Sequence, residues 1–357
     1  IGRIITFALL TGSTCMLLVS HFPVQAASED SWYLKAKYGL YVTYQYNDAD
    51  WVTQTGFGYT CYPDGKLTQS VNELANAFDA DIFAQDCVDM GVQYVTFTAY
   101  HGHMYVLYPS TVIESKLPGH TADRDMIRSL IDALHAKDIK LQLYIHASIG
   151  DSFTAEQKAA TSYDDATGNY KKWNDFINAF FDELSKRYGS EIDSYYIDMI
   201  SSPDYLNRVD AQRIRNTLRK NSGNVTIAGN GNAETAVDYG SREDGNYYLP
   251  DIRSRITYPT QTVLCQSNLW WASVPSSAGN AAKYTPEHLL QYLVMTAGTN
   301  SAGGGLALGA TPYVTGEWEP GVKESLVNLN HLLTPINESV LNRSEERRVG
   351  KECRSRW

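Results

Sequence analysis

The chain has 357 residues, 43% of them hydrophobic and 20% charged, with a formal net charge of −10. That is enough apolar residue to bury one large core or two. The acidic balance argues against nucleic acid and anionic membrane as partners, because both need clustered Lys and Arg.

The first element is a basic start at Arg3, an apolar run from Ile4 to Ser20, and the small-x-small sequence Val24-Gln25-Ala26-Ala27. This layout predicts a signal peptide over residues 1–26 and a secreted or periplasmic protein. A membrane anchor is the competing reading. The run is broken by Gly12-Ser13-Thr14 and is short for a span. No lipobox precedes Cys15, and no later segment is long and apolar enough to cross a bilayer. The missing initial Met implies that the true start lies upstream.

Strand-like and helix-like runs then alternate. Tyr38 to Gln45 reads as a strand, Ala80 to Met90 as a helix, and Val92 to Thr98 as a strand. Ala122 to Lys137 carries Met126, Ile127, Leu130, Ile131 and Leu134 at helical spacing. Lys140 to His146 reads as a strand, Lys172 to Tyr188 as a helix, and Asp193 to Asp198 as a strand. Asp210 to Lys220 is a helix and Val225 to Gly229 a strand. Thr262 to Gln266, Pro286 to Thr296, Gly305 to Leu308 and Pro320 to Leu333 continue the alternation. The last stretch, Arg343 to Trp357, is abruptly basic and without apolar period. It resembles a translated sequencing adapter, AGATCGGAAGAG giving Arg-Ser-Glu-Glu, and is left out of the fold. Residues 27–342 are then the domain. Within it Cys61, Cys87 and Cys265 allow at most one disulfide, whose partners the sequence does not identify.

Repeated βα units imply a parallel sheet with helices outside, and their number points to an α/β (β/α)8 barrel. A doubly wound open sheet is the second choice, weakened by the lack of GxGxxG after the first strand. On a barrel, functional groups sit at the C-terminal strand ends. His101 and His103 follow the second strand, His146 ends the third and Asp198 the fourth, and Asn230 and Asn232 follow the fifth. Each alone has a structural explanation; the row of them suggests a site. The 25 Tyr and 7 Trp suit sugar stacking, and suit a large core equally well.

At these residues the chain resembles the secreted retaining α-L-fucosidases. Lys37-Tyr38-Gly39-Leu40-Tyr41 stands where that family has Lys-Phe-Gly-Ile-Phe, and Phe78-Asp79-Ala80 matches its Phe-Asp-Ala. Thr98-Ala99-Tyr100-His101-Gly102-His103-Met104 resembles Thr-Ala-Lys-His-His-Asp-Gly-Phe, Asp123-Arg124-Asp125 resembles Lys-Arg-Asp, and Gln142-Leu143-Tyr144-Ile145-His146 resembles Gly-Leu-Tyr-Tyr-Ser. Tyr196-Ile197-Asp198-Met199 falls on the nucleophile strand, after a matching Glu183-Leu184 and Arg187-Tyr188. Asp238-Tyr239-Gly240-Ser241-Arg242-Glu243 resembles Asp-Tyr-x-Thr-Pro-Glu, and Gly303-Gly304-Gly305-Leu306-Ala307-Leu308 a late Gly-rich strand. The likeness runs from about Trp32 to about Val340. Two sugar-contacting histidines of the family are absent: Thr43-Tyr44-Gln45 replaces His-Trp-Gly, and Gly102 replaces the second His of the His-His pair.

The resemblance implies cleavage of a terminal α-L-fucoside or related sugar in an oligosaccharide or glycoconjugate, without cofactor. Retention needs two carboxyl groups roughly 5 Å apart. Asp198 is the expected nucleophile. Glu243, in a polar loop with Asp238 and Asp244 whose negative charge would favour keeping its proton, is the expected acid/base, with Glu234 and Glu317 as fallbacks. His101, His103, His146, Tyr144, Trp51 and Trp270 are the expected substrate contacts, with Trp271 a further wall residue. Two other readings stay open: a non-catalytic carbohydrate-binding relative, and a metal-dependent hydrolase using His101 and His103 with His146 and Asp198.

Overall fold

Side chains alternate along a β-strand, so a fully buried strand has two different faces. In Ser194–Asp198 one face carries Tyr195 and Ile197, which join the apolar layer under the helices. The other carries Ser194, Tyr196 and Asp198. Tyr196 packs with other tyrosines in a second, smaller cluster, the barrel lumen. The aspartate that ends this apolar run therefore stands on the lumen face, at the strand's C-terminal end.

The computed structural model describes residues 32–47, 59–198, 200, 208–230, 236–243, 260–269, 272–298 and 304–335. The expected signal peptide and the adapter-like tail lie outside them. So do Trp51, Asn232, Glu234, Asp244, Trp270 and Trp271. Eight parallel strands close a barrel: β1 (Tyr38–Val42), β2 (Tyr94–Thr98), β3 (Lys140–His146), β4 (Ser194–Asp198), β5 (Thr226–Asn230), β6 (Tyr239–Glu243), β7 (Thr260–Cys265) and β8 (Gly304–Ala310). Each pairs with its neighbours in chain order. Closure comes from β1 on β8, with Gly39 opposite Ala307 and Leu40 opposite Leu308. The (β/α)8 expectation holds.

Helices Ala80–Asp89, Met126–His135, Lys171–Tyr188, Ala211–Ser222, Pro286–Gly298 and 320–335 accompany the strands. Their starts are set by side chains that satisfy free backbone N–H groups. Asp79 accepts from Asp81 and Ile82, Asp125 from Arg128, and Asp210 from Arg213. The Asp125 cap is why the expected helix from Ala122 begins only at Met126. Met126, Ile127, Leu130, Ile131 and Leu134 are all buried, as their spacing requires. Phe97 on β2 meets the rings of Tyr44, Phe78 and Phe83 at 5.6 to 5.8 Å. Truncating such a residue to Ala costs roughly 3–5 kcal/mol.

Several elements differ from expectation. The first strand stops at Val42, because beyond it the Tyr44 hydroxyl turns to the carbonyls of Leu74 and Val314, at 2.9 and 2.7 Å. Helices Val71–Ala77, Thr111–Lys116 and Ala155–Thr161 are additional and short. Glu243 was expected in a polar loop; instead it ends β6, held in register between Asn230–Ser241 and Gln261–Ser241 pairs. Cys61, Cys87 and Cys265 are buried free thiols, and no disulfide joins them.

The lumen is filled in layers. Tyr33, from the helical turn Trp32–Lys35, closes the N-terminal end. Its ring lies 4.4 Å from that of Tyr239 and 5.8 Å from that of Tyr94, and its hydroxyl donates to Gln261 Oε1 at 2.5 Å. Gly39 leaves the space the Tyr94 ring takes; a Cβ there would sit 2.5 Å from it. Several buried polar groups pair with one another across the lumen. Thr96 donates to Gln142 at 2.7 Å, Gln142 to Ser194 at 3.0 Å, and Gln261 to Thr96 at 3.3 Å. Above them Tyr41, Tyr144 and Tyr196 pack ring against ring at 5.3 to 6.0 Å. The functional rim stands on this tyrosine layer.

Candidate active site

Two residues past each upper-layer tyrosine, the same strand face reaches the rim. Beyond Tyr144 comes His146, and beyond Tyr196 comes Asp198. The neighbouring lumen positions at the ends of β5 and β6 are Asn230 and Glu243. Asp198 is buried, at 5% exposure, and both its oxygens are held. Tyr144 donates its hydroxyl to Oδ2 at 2.5 Å. Asn230 donates from Nδ2 to Oδ1 at 2.9 Å.

The same Asn230 amide nitrogen lies 3.2 Å from Glu243 Oε1. A single nitrogen thus spans the two carboxyl groups. The two contacts, 2.9 and 3.2 Å, cap the separation of those oxygens even when laid end to end. So close an approach of the nearest oxygens suits the roughly 5 Å between carboxyl groups of retaining glycosidases. Oε1 of Glu243 also receives Tyr41 at 3.1 Å and Tyr196 at 3.4 Å.

Burial pushes the Glu243 carboxyl up to about 8, and the negative charge of Asp198 adds to the rise. At neutral pH Glu243 therefore carries a proton beside the Asp198 carboxylate. The expected cause was different. Asp238 does not face Glu243: it receives Arg215 at 2.7 Å and Arg219 at 2.8 Å, and accepts Ile227 N–H at 2.9 Å. Asp238 ties β5 and β6 to helix Ala211–Ser222. It positions the strand and leaves the proton of Glu243 to burial. Burial also keeps the Tyr41, Tyr144 and Tyr196 hydroxyls protonated, so they serve as donors.

The histidines divide. His101 packs 5.8 Å from the His146 ring and 6.0 Å from that of Tyr144. Burial drives both imidazoles down to about 3, so both are neutral. His146 Nδ1 accepts the Ser148 N–H at 3.2 Å, which places its proton on Nε2, facing Asp198 Oδ2 at 4.0 Å. His103 stands apart from this group. Its ring lies edge-on to Tyr105 at 6.3 Å, and its carbonyl accepts from His120 at 2.7 Å. Glu317 is exposed, accepts from Thr315 at 3.1 Å, and bears on Asp86 in the helix layer. It is no part of the rim. Trp51, Trp270 and Glu234 lie outside the described residues.

The gathered histidine group is His101, His146 and Asp198, whose ligand atoms lie within 4.8 Å of one another. An imidazole bound to a metal donates its second N–H outward. In His146 that second nitrogen accepts instead. The geometry presents a hydrogen-bond donor to the pocket where an ion would need a lone pair, and His103 is not among the ligands.

The two positions where the resemblance leads one to expect histidine are built differently here. Gly102 has φ of +52°, and a Cβ there would meet Asn47 Oδ1 at 2.5 Å. Thr43 is engaged with the Thr311 hydroxyl. Sequence reasoning missed Tyr41, Tyr196 and the bridging role of Asn230. Strand alternation could have found them, since each shares the lumen face with a rim carboxylate or ends beside one.

A family model described as Alpha-L-fucosidase matches residues 18–337. No curated protein matches the sequence. Among solved structures, an alpha-L-fucosidase GH29 from Bacteroides thetaiotaomicron aligns over 87% of this chain and 74% of its own, at TM-score 0.62 and 14% identity. Alpha-L-fucosidase isoenzyme 1 from Paenibacillus thiaminolyticus aligns over 85% and 74%, at TM-score 0.58 and 18% identity. An alpha-L-fucosidase from Lactobacillus casei, in complex with its alpha-L-fucose product, aligns over 86% and 98%, at TM-score 0.57 and 18% identity.

Proposed function

The chain belongs to the alpha-L-fucosidase family of glycoside hydrolases, and on that premise we propose that it cleaves a terminal α-L-fucoside, or a closely related sugar, with retention. Asp198 is the nucleophile and Glu243 the acid/base. The observation that carries this reading is the single Asn230 amide that reaches both carboxyl groups.

In the first step an Asp198 oxygen attacks the anomeric carbon. The bond to the leaving oxygen breaks, and Glu243 gives that oxygen its proton. Asp198 is now an ester and has lost its charge. One cause of Glu243's raised pKa disappears with it. The ionised Glu243 is then a competent base, and takes a proton from the water that attacks the glycosyl-enzyme. Asp198 leaves as carboxylate. Tyr144 and Asn230 hold it through the cycle. His101 and the Nε2–H of His146 are placed to bind sugar hydroxyls, His146 taking up part of the task of the absent histidines. Export directed by residues 1–26 would bring the enzyme to extracellular glycoconjugates.

Azide tests the assignment. In Glu243→Ala, substrates with poor leaving groups should slow far more than activated ones. Azide, which needs no deprotonation, should restore the rate and give a glycosyl azide of retained configuration. An inverted azide would exchange the two roles. No rescue, with all leaving groups slowed equally, would remove Glu243 from the chemistry. Sugar binding without turnover in the parent would instead identify a carbohydrate-binding relative.

A further inference from the structure

Among the described residues, three donors converge on one oxygen of Glu243. Tyr41 reaches Oε1 at 3.1 Å, Asn230 at 3.2 Å and Tyr196 at 3.4 Å. Tyr41 comes from β1, Tyr196 from β4 and Asn230 from β5, so three separate strands aim at one atom. A neutral carboxylic acid has one acceptor-only oxygen and one that bears the proton. An oxygen that accepts from all three groups is the acceptor-only oxygen.

We infer that Tyr41 and Tyr196, with Asn230, make Oε1 the carbonyl oxygen of Glu243 and so confine the transferable proton to Oε2. This rests on Glu243 being the acid/base. The two tyrosines are positioning residues: they touch the acid and leave the sugar to other groups. Their first effect is directional. A proton on either oxygen at random would point away from the leaving group part of the time; here it has one site. Their second effect is on strength. The same hydroxyls stabilise the carboxylate once the proton has left, so they lower a pKa that burial would otherwise carry higher. The packing supports a fixed arrangement. Tyr41 and Tyr196 rings lie 5.3 Å apart at 70°, both buried, and close packing holds their hydroxyls in place.

The test uses Tyr41→Phe, Tyr196→Phe and the double variant in the full chain. Phe keeps the ring and removes only the hydroxyl. The infrared carbonyl band of the protonated Glu243 is isolated as the difference between parent and Glu243→Gln. Losing donors to a C=O oxygen should move that band to higher frequency, further in the double variant. The high-pH limb of kcat/KM should move to higher pH. The ratio of rates on activated to unactivated leaving groups should rise by roughly threefold to tenfold per hydroxyl, the range expected of one hydrogen bond. A carbonyl band that stays in place while the variants remain folded overturns the inference, because Oε1 is then not the carbonyl oxygen. An unmoved high-pH limb with all leaving groups slowed alike overturns it too. Neither result touches the acid/base assignment, which stands or falls on azide rescue of Glu243→Ala.

Discussion

Glu243→Gln should remove a pH dependence of stability that the parent shows. The carboxyl rises from an ordinary 4.5 to about 8, so the folded protein holds that proton where the unfolded chain releases it. The stabilisation is fully present below the unfolded value and is lost as pH climbs through about 8. At about 1.36 kcal/mol for each tenfold change in proton affinity, the full loss is about 5 kcal/mol. Glu243 is mostly but not wholly buried, and its residual exposure brings the figure to roughly 2–3 kcal/mol. For a domain of this size that is a fall of roughly 3–5 °C in melting temperature between pH 5 and pH 9. Glutamine has the same shape, keeps a carbonyl for Tyr41, Tyr196 and Asn230, and cannot ionise. Melting curves of both proteins across that range give the difference, in which titrating groups remote from the Glu243–Asp198 pair cancel. The parent should descend more steeply than the variant. Parallel curves would refute the raised pKa and with it the physical basis for Glu243 as the acid. The parent's kcat/KM should also fall above about pH 8, for the same reason.

Asp198→Asn should lose several orders of magnitude in turnover with its fold intact, since the nucleophilic oxygen is gone; activity within tenfold of the parent would disprove the assignment. EDTA should leave activity unchanged, because the two carboxyl groups supply the chemistry; loss restored by zinc would favour the His101–His146–Asp198 group as a metal site. Asp125→Ala should cost about 2–4 kcal/mol of stability at unchanged kcat per folded molecule, as it accepts Arg128 N–H at 2.9 Å, Arg187 at 3.1 Å and Tyr188 at 2.7 Å. A drop in kcat at full folding would tie that cap to the site.

The barrel was legible because long apolar strands and helices with clean periods announce themselves. Met126 to Leu134 shows the pattern at its plainest. The strand Tyr239–Glu243 was not legible: Tyr-Gly-Ser-Arg-Glu has one large apolar residue, and its extended form comes from pairing with β5 and β7 on either side. The same missed pairing misplaced the cause of the Glu243 proton. Read as a loop, the residue seemed to answer to Asp238 and Asp244; as a strand end, it answers to burial and to Asp198. Asp198, His101, His146 and Tyr144 come together because strand ends on a barrel share one rim. His103 lies outside that group, since the rule places a residue on the rim without saying which way its ring turns. Several motif residues proved to be ties between layers. Glu183 accepts Thr111 N–H at 2.8 Å and holds the start of Thr111–Lys116, and Arg124 donates to the carbonyls of Ala75 and Phe78, each at 3.0 Å. A resemblance marks both kinds of residue alike.

The plug at the base of the barrel has a bearing on how the chain is made. Tyr33 leaves the ribosome before any strand, yet its hydroxyl partner is Gln261, 228 residues later. β1 likewise waits for β8. Until about residue 310 has emerged, a growing chain has two open sheet edges and a tyrosine with no lumen to enter. Folding cannot finish piecemeal, because these long-range pairings close only late in synthesis. The same delay keeps the polypeptide threadable, a state that any route through a narrow translocation channel requires.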